Sequence, residues 1–309
     1  MSNIMNVNDK LATFNDNFSD SADLTEVVGR SLWQDARIRL MRNKAAVVSM
    51  IILSIITLMA IFAPWLSSHP FDEVYWDFIQ VPPNVAEGFW FGTDENGRDL
   101  FVRTLYGARV SLMVGLVATT VSLVIGVVYG AVAGYMGGRI DNIMMRFVDI
   151  LYSLPFMFFV IILMVIFGRN IYLIFVALGA VEWLTMARIV RGQTLAVKKK
   201  EFVEAAHASG VSTTKIIFRH IIPNILGPVI VYMTLTIPQV ILTESFLSFL
   251  GLGVQEPLTS WGVLISEGAK VMESAPWMLA FPATFLAITL FCFNFIGDGL
   301  RDALDPKDR

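Results

Sequence analysis

Four residues, Glu204, Ala205, Ala206 and Gly210, set a charge, two small side chains and a turn former close together in a stretch rich in lysine. Such a set suits contact rather than bond chemistry. A carboxylate can make a charge-assisted hydrogen bond to a partner protein, alanines admit close approach, and glycine reverses the chain. Glu182 and Glu244 are of another kind, being carboxylates inside apolar runs. Charged groups in membrane segments are costly and usually face a bundle interior or a wet cavity. Both are therefore candidates for a lumen or inter-subunit contact, the alternative being a helix end with the carboxylate reaching the headgroups. His69, His207 and His220 lack helical metal-ligand spacing. Asp94 to Asp99 lacks the glycine and glutamate positions of a calcium loop, so it reads as a turn and no metal is assigned. No Gly-rich loop ending in Gly-Lys-Ser or Gly-Lys-Thr occurs, so the chain lacks a phosphate cradle of its own.

The elements that must position these residues are membrane helices. Only 16% of the 309 residues are charged and 55% are hydrophobic, with a mean hydropathy of +0.64. A soluble domain carries about a quarter charged residues. Apolar runs cover 45–64, 110–138, 150–168, 170–187, 221–243 and 274–297. Each is close to the ~20 residues that cross a bilayer, which predicts an all-α polytopic membrane protein with six spans. The first run begins too late and is too long for a signal peptide. Cys292, the single cysteine, falls in the last run and reads as a small buried apolar residue.

Loop charge predicts the orientation. With the N-terminus inside, eighteen of the 23 lysines and arginines fall on the inner side and five on the outer. Residues 1–30 are polar and read as a disordered cytoplasmic tail. Residues 31–44 mix Trp33, Leu40 and Met41 with arginines, and read either as an interfacial helix or as the basic flank of the first span. The six-helix transmembrane body is then 45–309.

Gly126, Gly130, Gly134 and Gly138 form a ladder at four-residue spacing, which lets another helix approach closely in lipid. Pro155, Pro228, Pro238 and Pro282 fall in or near later spans, where each removes a backbone donor. Between the fourth and fifth runs, 188–223 reads as an inner loop. Within it, a helix over 201–209, a turn at Gly210 and a second helix capped by Ser212 and running to about Arg219 are expected. Ala205, Ala206 and Ala208 would be its docking face, and Pro223 would close it at the mouth of the fifth span.

The stretch 204–223 resembles the EAA loop of bacterial ABC importer permeases, with Glu204, Ala205, Ala206, Gly210, Ile222 and Pro223 at matching positions. His220 departs from the usual aliphatic residue there, and the Arg219-His220 pair resembles the peptide-importer branch. Further resemblances are Phe91-Gly92-Thr93-Asp94, Gly97-Arg98-Asp99 and Gly107-x-Arg109-x-Ser111-Leu112. Others are Ser245 to Gly253, Ser260-Trp261-Gly262, and Gly297 to Asp302 with Leu304-Asp305-Pro306. Together they resemble the C-type permeases of bacterial peptide ABC importers, the oligopeptide type first and the dipeptide type as alternative.

The resemblance implies a type I importer fold, a bacterial inner-membrane location and coupling of the six matched residues to ATPase subunits. It also implies a homologous B-type permease, two ATPase subunits holding ATP and magnesium, a periplasmic peptide-binding protein and a peptide substrate. Nothing suggests nucleic acid as a partner. An ion-coupled secondary transporter is the rival class. It would place paired carboxylates in inverted repeats, and no internal repeat is seen.

Overall fold

The computed structural model describes residues 32–168 and 171–304. The proposed tail 1–30 and the final Asp305-Pro306 therefore lie outside the described residues. Helix α1 (Leu32–Arg42) is short and precedes α2 (Lys44–Leu66). Asn43 separates them, its side chain accepting from the Ala46 N–H at 3.2 Å as the N-cap of α2. Residues 31–44 thus include a helix distinct from the first span. It packs on the last helix of the chain, where Gly299 lies against Leu40 and Ala46.

Pro64 removes an N–H from the end of α2, so the Ala60 carbonyl has no helical partner. Arg109, from α3 (Leu100–Met136), supplies one: its Nε donates to Ala60 O at 2.5 Å and its Nη2 to Ile61 O at 2.7 Å.

Helix α3 is longer than its apolar run because Asp99 caps it well before the run begins, accepting from the Phe101 N–H. The third run is not one straight span. Its first residues end α4 (Gly138–Ser153), which begins well before the run, and the rest form α5 (Phe156–Phe167), the two helices being bent by 79°. Leu154 precedes Pro155 and is held extended, where a helical conformation would clash with the proline ring. Among the described residues five helices are long and apolar enough to cross a membrane, six if this bent pair is one span.

Helix α6 (Ile171–Val197) runs past the predicted fourth span, so the first ten residues of the expected inner loop are helical. Helix α7 (Glu201–Ala208) follows, and α8 (Thr213–Phe249) is the longest correction. Its 37 residues run through Arg219 and Pro223 without a break. A π-turn over Ile216–Ile221 precedes Pro223, which stands at the start of the following α-helical stretch. Pro223 therefore lies within the helix and does not close a loop. A short α9 (Trp261–Lys270) and α10 (Pro276–Leu304) complete the fold.

The core is built from glycine notches. The most extensive helix pair is α3 with α6, because three glycines of the ladder face it. A Cβ on Gly126 would meet the Met186 Cβ at 2.6 Å, one on Gly130 the Val190 Cβ at 2.8 Å, and one on Gly134 the Thr194 Cβ at 2.8 Å. The ladder packs within this chain. Gly138 is no part of it: it opens α4 at φ +55° with open space around it. The turn from α3 into α4 carries it out of the groove. Two more notches grip α8 toward its C-terminal end, Gly115 of α3 against Ile237 and Ile241, and Gly297 of α10 against Thr234 and Leu235.

Candidate coupling and translocation site

Helix α7 is amphipathic at close range. Val203 and Ala206 turn inward and join Ile216, Ile217, Ile221 and Ile225 of α8 with Val127, Ala131 and Val190 in one apolar cluster. Glu201, Phe202, Glu204, Ala205 and Ala208 remain exposed. The expected alanine docking face is thereby corrected. Ala206 is a core residue on the helix's inner stripe, and only Ala205 and Ala208 reach the surface. Phe202 escaped the sequence reading. It stands next to the basic run, and only the helix phase shows it to be exposed.

After Ala208 the chain reverses through Gly210 at φ +76°. The Val211 N–H donates to Ala206 O and the Gly210 N–H to His207 O, closing the last turn. Ser212 takes the extended N-cap conformation before α8, but its side chain makes no cap hydrogen bond, contrary to expectation. Ile222 is half-buried beside the apolar cluster, and Pro223 is exposed. At the same end, Lys198 donates to Tyr135 O and lies over the Tyr135 ring. Arg191 grips Asp141 with two hydrogen bonds of 2.5 and 2.7 Å.

Glu244 is fully buried within the chain. It accepts from Ser248 at 2.7 Å and Ser111 at 3.3 Å, while Ser111 accepts from the Trp261 N–H. This corrects the expectation of a lumen or inter-subunit contact. Helix α9 folds back over Glu244, and the carboxylate belongs to an internal cluster joining α3, α8 and α9. Glycines allow this closeness: Gly262 lies on the Ser245 backbone, Gly253 on Ser248, and Gly107 on the Ser260–Trp261 link. Three sequence stretches far apart in the chain thus meet at one point.

Near that cluster, Asp94 forms a turn by accepting from the Asn96 and Arg98 N–H groups. Its other oxygen lies 2.7 Å from Arg98 Nε and 3.2 Å from Arg103 Nε. Arg103 is fully buried and reaches Glu267 of α9 at 3.5 Å. The arginines occupy the carboxylate that a calcium loop would need. Arg103 also escaped the sequence reading, although an arginine one turn into a long apolar helix, near an aspartate, was a legible signal.

Glu182 is placed differently. It is half-buried on α6 and lines an open hollow of about 690 Å³ between α6, the α4–α5 bend and α8. Gln239 and Thr243 of α8 complete the wall and also border a second hollow of about 430 Å³ that reaches Asn294.

A bundle of membrane-length helices, with a surface helix tied by a glycine turn to the base of a 37-residue span, defines the membrane subunit of a transporter. The chain belongs to the family of binding-protein-dependent transport system inner membrane components, matched over residues 126–309. Residues 31–83 also match the N-terminal TM domain of oligopeptide transport permease C. The oligopeptide transport system permease protein OppC of Escherichia coli K12 is 61% identical, covering 95% of this chain and 96% of its own. Its counterpart from Haemophilus influenzae is 56% identical over 98% and 97%. The dipeptide transport system permease protein DppC of Bacillus subtilis is 47% identical over 98% and 94%. The fold is shared with a chain of the MetNI methionine ABC transporter in inward-facing conformations, at a TM-score of 0.56 and 19% identity, covering 67% of this chain and 96% of that one. The protein is thus a multi-pass ABC-transporter permease, a translocation subunit and not the catalytic ATPase.

Proposed function

We propose that this chain imports oligopeptides across a bacterial inner membrane as one of two permeases, beside a homologous B-type subunit. Two ATPase subunits, which hold ATP and magnesium, supply the energy, and a periplasmic peptide-binding protein delivers the peptide. Both termini face the cytoplasm, as the uneven distribution of lysine and arginine favours. The Escherichia coli and Haemophilus influenzae relatives named for oligopeptides are more similar to this chain than the Bacillus subtilis relative named for dipeptides. That contrast supports the substrate class and leaves dipeptides as the second reading.

The observation that carries the mechanism is the junction of α7 with α8. A surface helix is held to the foot of a 37-residue span by an apolar cluster and a four-residue reversal, so a displacement of one is passed to the other. Glu204 and Ala205 meet the ATPase, Gly210 holds the turn, and Ile222 and Pro223 carry the displacement past the π-turn into the span. Closure of the ATPase pair then turns the bundle from inward- to outward-open, a rigid-body exchange of access.

The test is reconstitution of the complete complex in proteoliposomes with loaded binding protein. Tetra- and pentapeptides are expected to stimulate ATP hydrolysis and to accumulate inside. Stimulation by dipeptides alone would transfer the protein to the dipeptide class. Uptake driven by an ion gradient without ATP would overturn the reading.

A further inference from the structure

We propose that the Glu182 hollow is a transient site for the N-terminal ammonium group of the peptide in transit. This rests on the peptide-import reading above. Glu182 makes no ion pair or hydrogen bond among the described residues, although it lines a hollow whose walls include Leu151, Pro155 and Phe159. Cations further along α6 are committed elsewhere. Arg188 pairs with Asp149 at 2.8 Å and stacks on Tyr152, and Arg191 is held by Asp141. An unpaired carboxylate in apolar surroundings is unfavourable unless a cation or water reaches it. Glu244 shows the contrast: this chain satisfies the carboxylate it keeps internally with serine hydroxyls and leaves Glu182 open.

The ligand class follows from what the hollow offers. It has one negative group and no positive one, so it complements a cation and offers no salt bridge to a peptide carboxylate. The one cation common to unmodified peptides of every sequence is the α-ammonium, apart from those that begin with proline, where it is a secondary amine. Tyr152 and Phe159 offer apolar and aromatic faces that tolerate any first side chain. Gln239 and Thr243 border the next hollow as well, so a polar strip leads from Glu182 toward Asn294 and gives the peptide backbone successive partners. Its volume of about 690 Å³ lies within the ~300–1,000 Å³ usual for small-ligand pockets.

The experiment uses the whole complex in nanodiscs without binding protein, so that selection by the delivery protein is bypassed. A trialanine derivative with a C-terminal photoreactive group is cross-linked to the complex, with trialanine and N-acetyl-trialanine as competitors. Wild type should be labelled on this subunit, and trialanine should compete about tenfold better or more, as expected for one hydrogen bond to a charged group. Glu182→Gln should assemble normally and lose that preference, while Glu182→Asp should keep much of it. Equal competition by both peptides in wild type, or an unchanged preference in Glu182→Gln, would overturn the site. So would a disulfide from Glu182→Cys to a cysteine placed on the second permease, since that would make this an inter-subunit contact. If wild-type complex with loaded binding protein takes up no peptide, the import reading fails first and this inference falls with it.

Discussion

The two ends of the bundle are fastened by opposite means. At the end carrying the 67–99 loop and α9, buried polar groups hold the structure: Asp94, Arg98, Arg103 and Glu267 in one network, Glu244 and its serines in another. At the α7 end the seam that holds α7 to α8 is apolar, with the Arg191–Asp141 pair beside it, and the charged residues Glu201 and Glu204 are left on the surface. Buried charge networks are directional and tolerate little rearrangement, whereas an apolar seam holds elements together while leaving their polar faces for a partner. One end is a closed lid on the membrane domain; the other is an open mount.

The comparison can be broken most severely at Arg103. Arg103→Met should take a buried cation from the buried Asp94 and the partly buried Glu267, at a cost of roughly 3–5 kcal/mol. Thermal unfolding of the purified complex would show a marked loss, along with low recovery from membranes. An unchanged melting temperature would mean that the polar end is not held by this network.

The α3–α6 groove comes next. Gly130→Leu should force apart helices already in contact through Val190, costing at least the ~1–3 kcal/mol of core overpacking. Because the groove is internal, the chain itself should be depleted from membranes even when expressed without its partners. Normal levels alone combined with failure to assemble would point to a role between subunits.

At the mount, effects should fall on coupling before stability. Gly210→Val places a β-branched residue at φ +76°, a strain of about 1–2 kcal/mol. Membrane levels should hold while peptide-stimulated ATP hydrolysis falls. A paired test separates the alanines: Ala205→Trp should block ATPase binding in a folded chain, whereas Ala206→Trp should disrupt the Val203–Ile217 cluster. The smallest effect is expected for Glu204→Ala. Loss of one charge-assisted contact weakens ATPase binding by about tenfold, measurable by pull-down at several salt concentrations. If Ala205→Trp and Glu204→Ala both leave ATPase binding intact, the mount lies elsewhere.

Much of this was legible from residue order. Apolar runs located the five helices of spanning length and the bent α4–α5 pair, and the spacing of Glu204, Ala205, Ala206 and Gly210 located α7 and its turn. What stayed hidden were choices of facing. Ala205 and Ala206 are alike in chemistry, and only the phase of α7 against Ile216 and Ile217 puts one outside and the other in the core. Glu182 and Glu244 looked equivalent until α9 folded over one of them. Gly138 kept the ladder's spacing but lost its role because α3 ends just before it. Pro155 and Pro223 show the same limit: one breaks a span and the other is absorbed, and the difference lies in the π-turn before Pro223. Backbone accommodation of that kind leaves no mark in composition.

The paired notches that grip α8 give the molecule a mechanical ratio. Gly115 and Gly297 pinch the helix at residues 234–241, well off its centre. At 1.5 Å per residue, the arm from there down to Thr213 is about 36 Å and the arm up to Phe249 about 18 Å. A rigid tilt about that pivot moves the lower end roughly twice as far as the upper, and in the opposite direction. On the proposed coupling, the helix acts as a reducing lever, trading a long stroke at the α7 end for a short, forceful one at the far mouth.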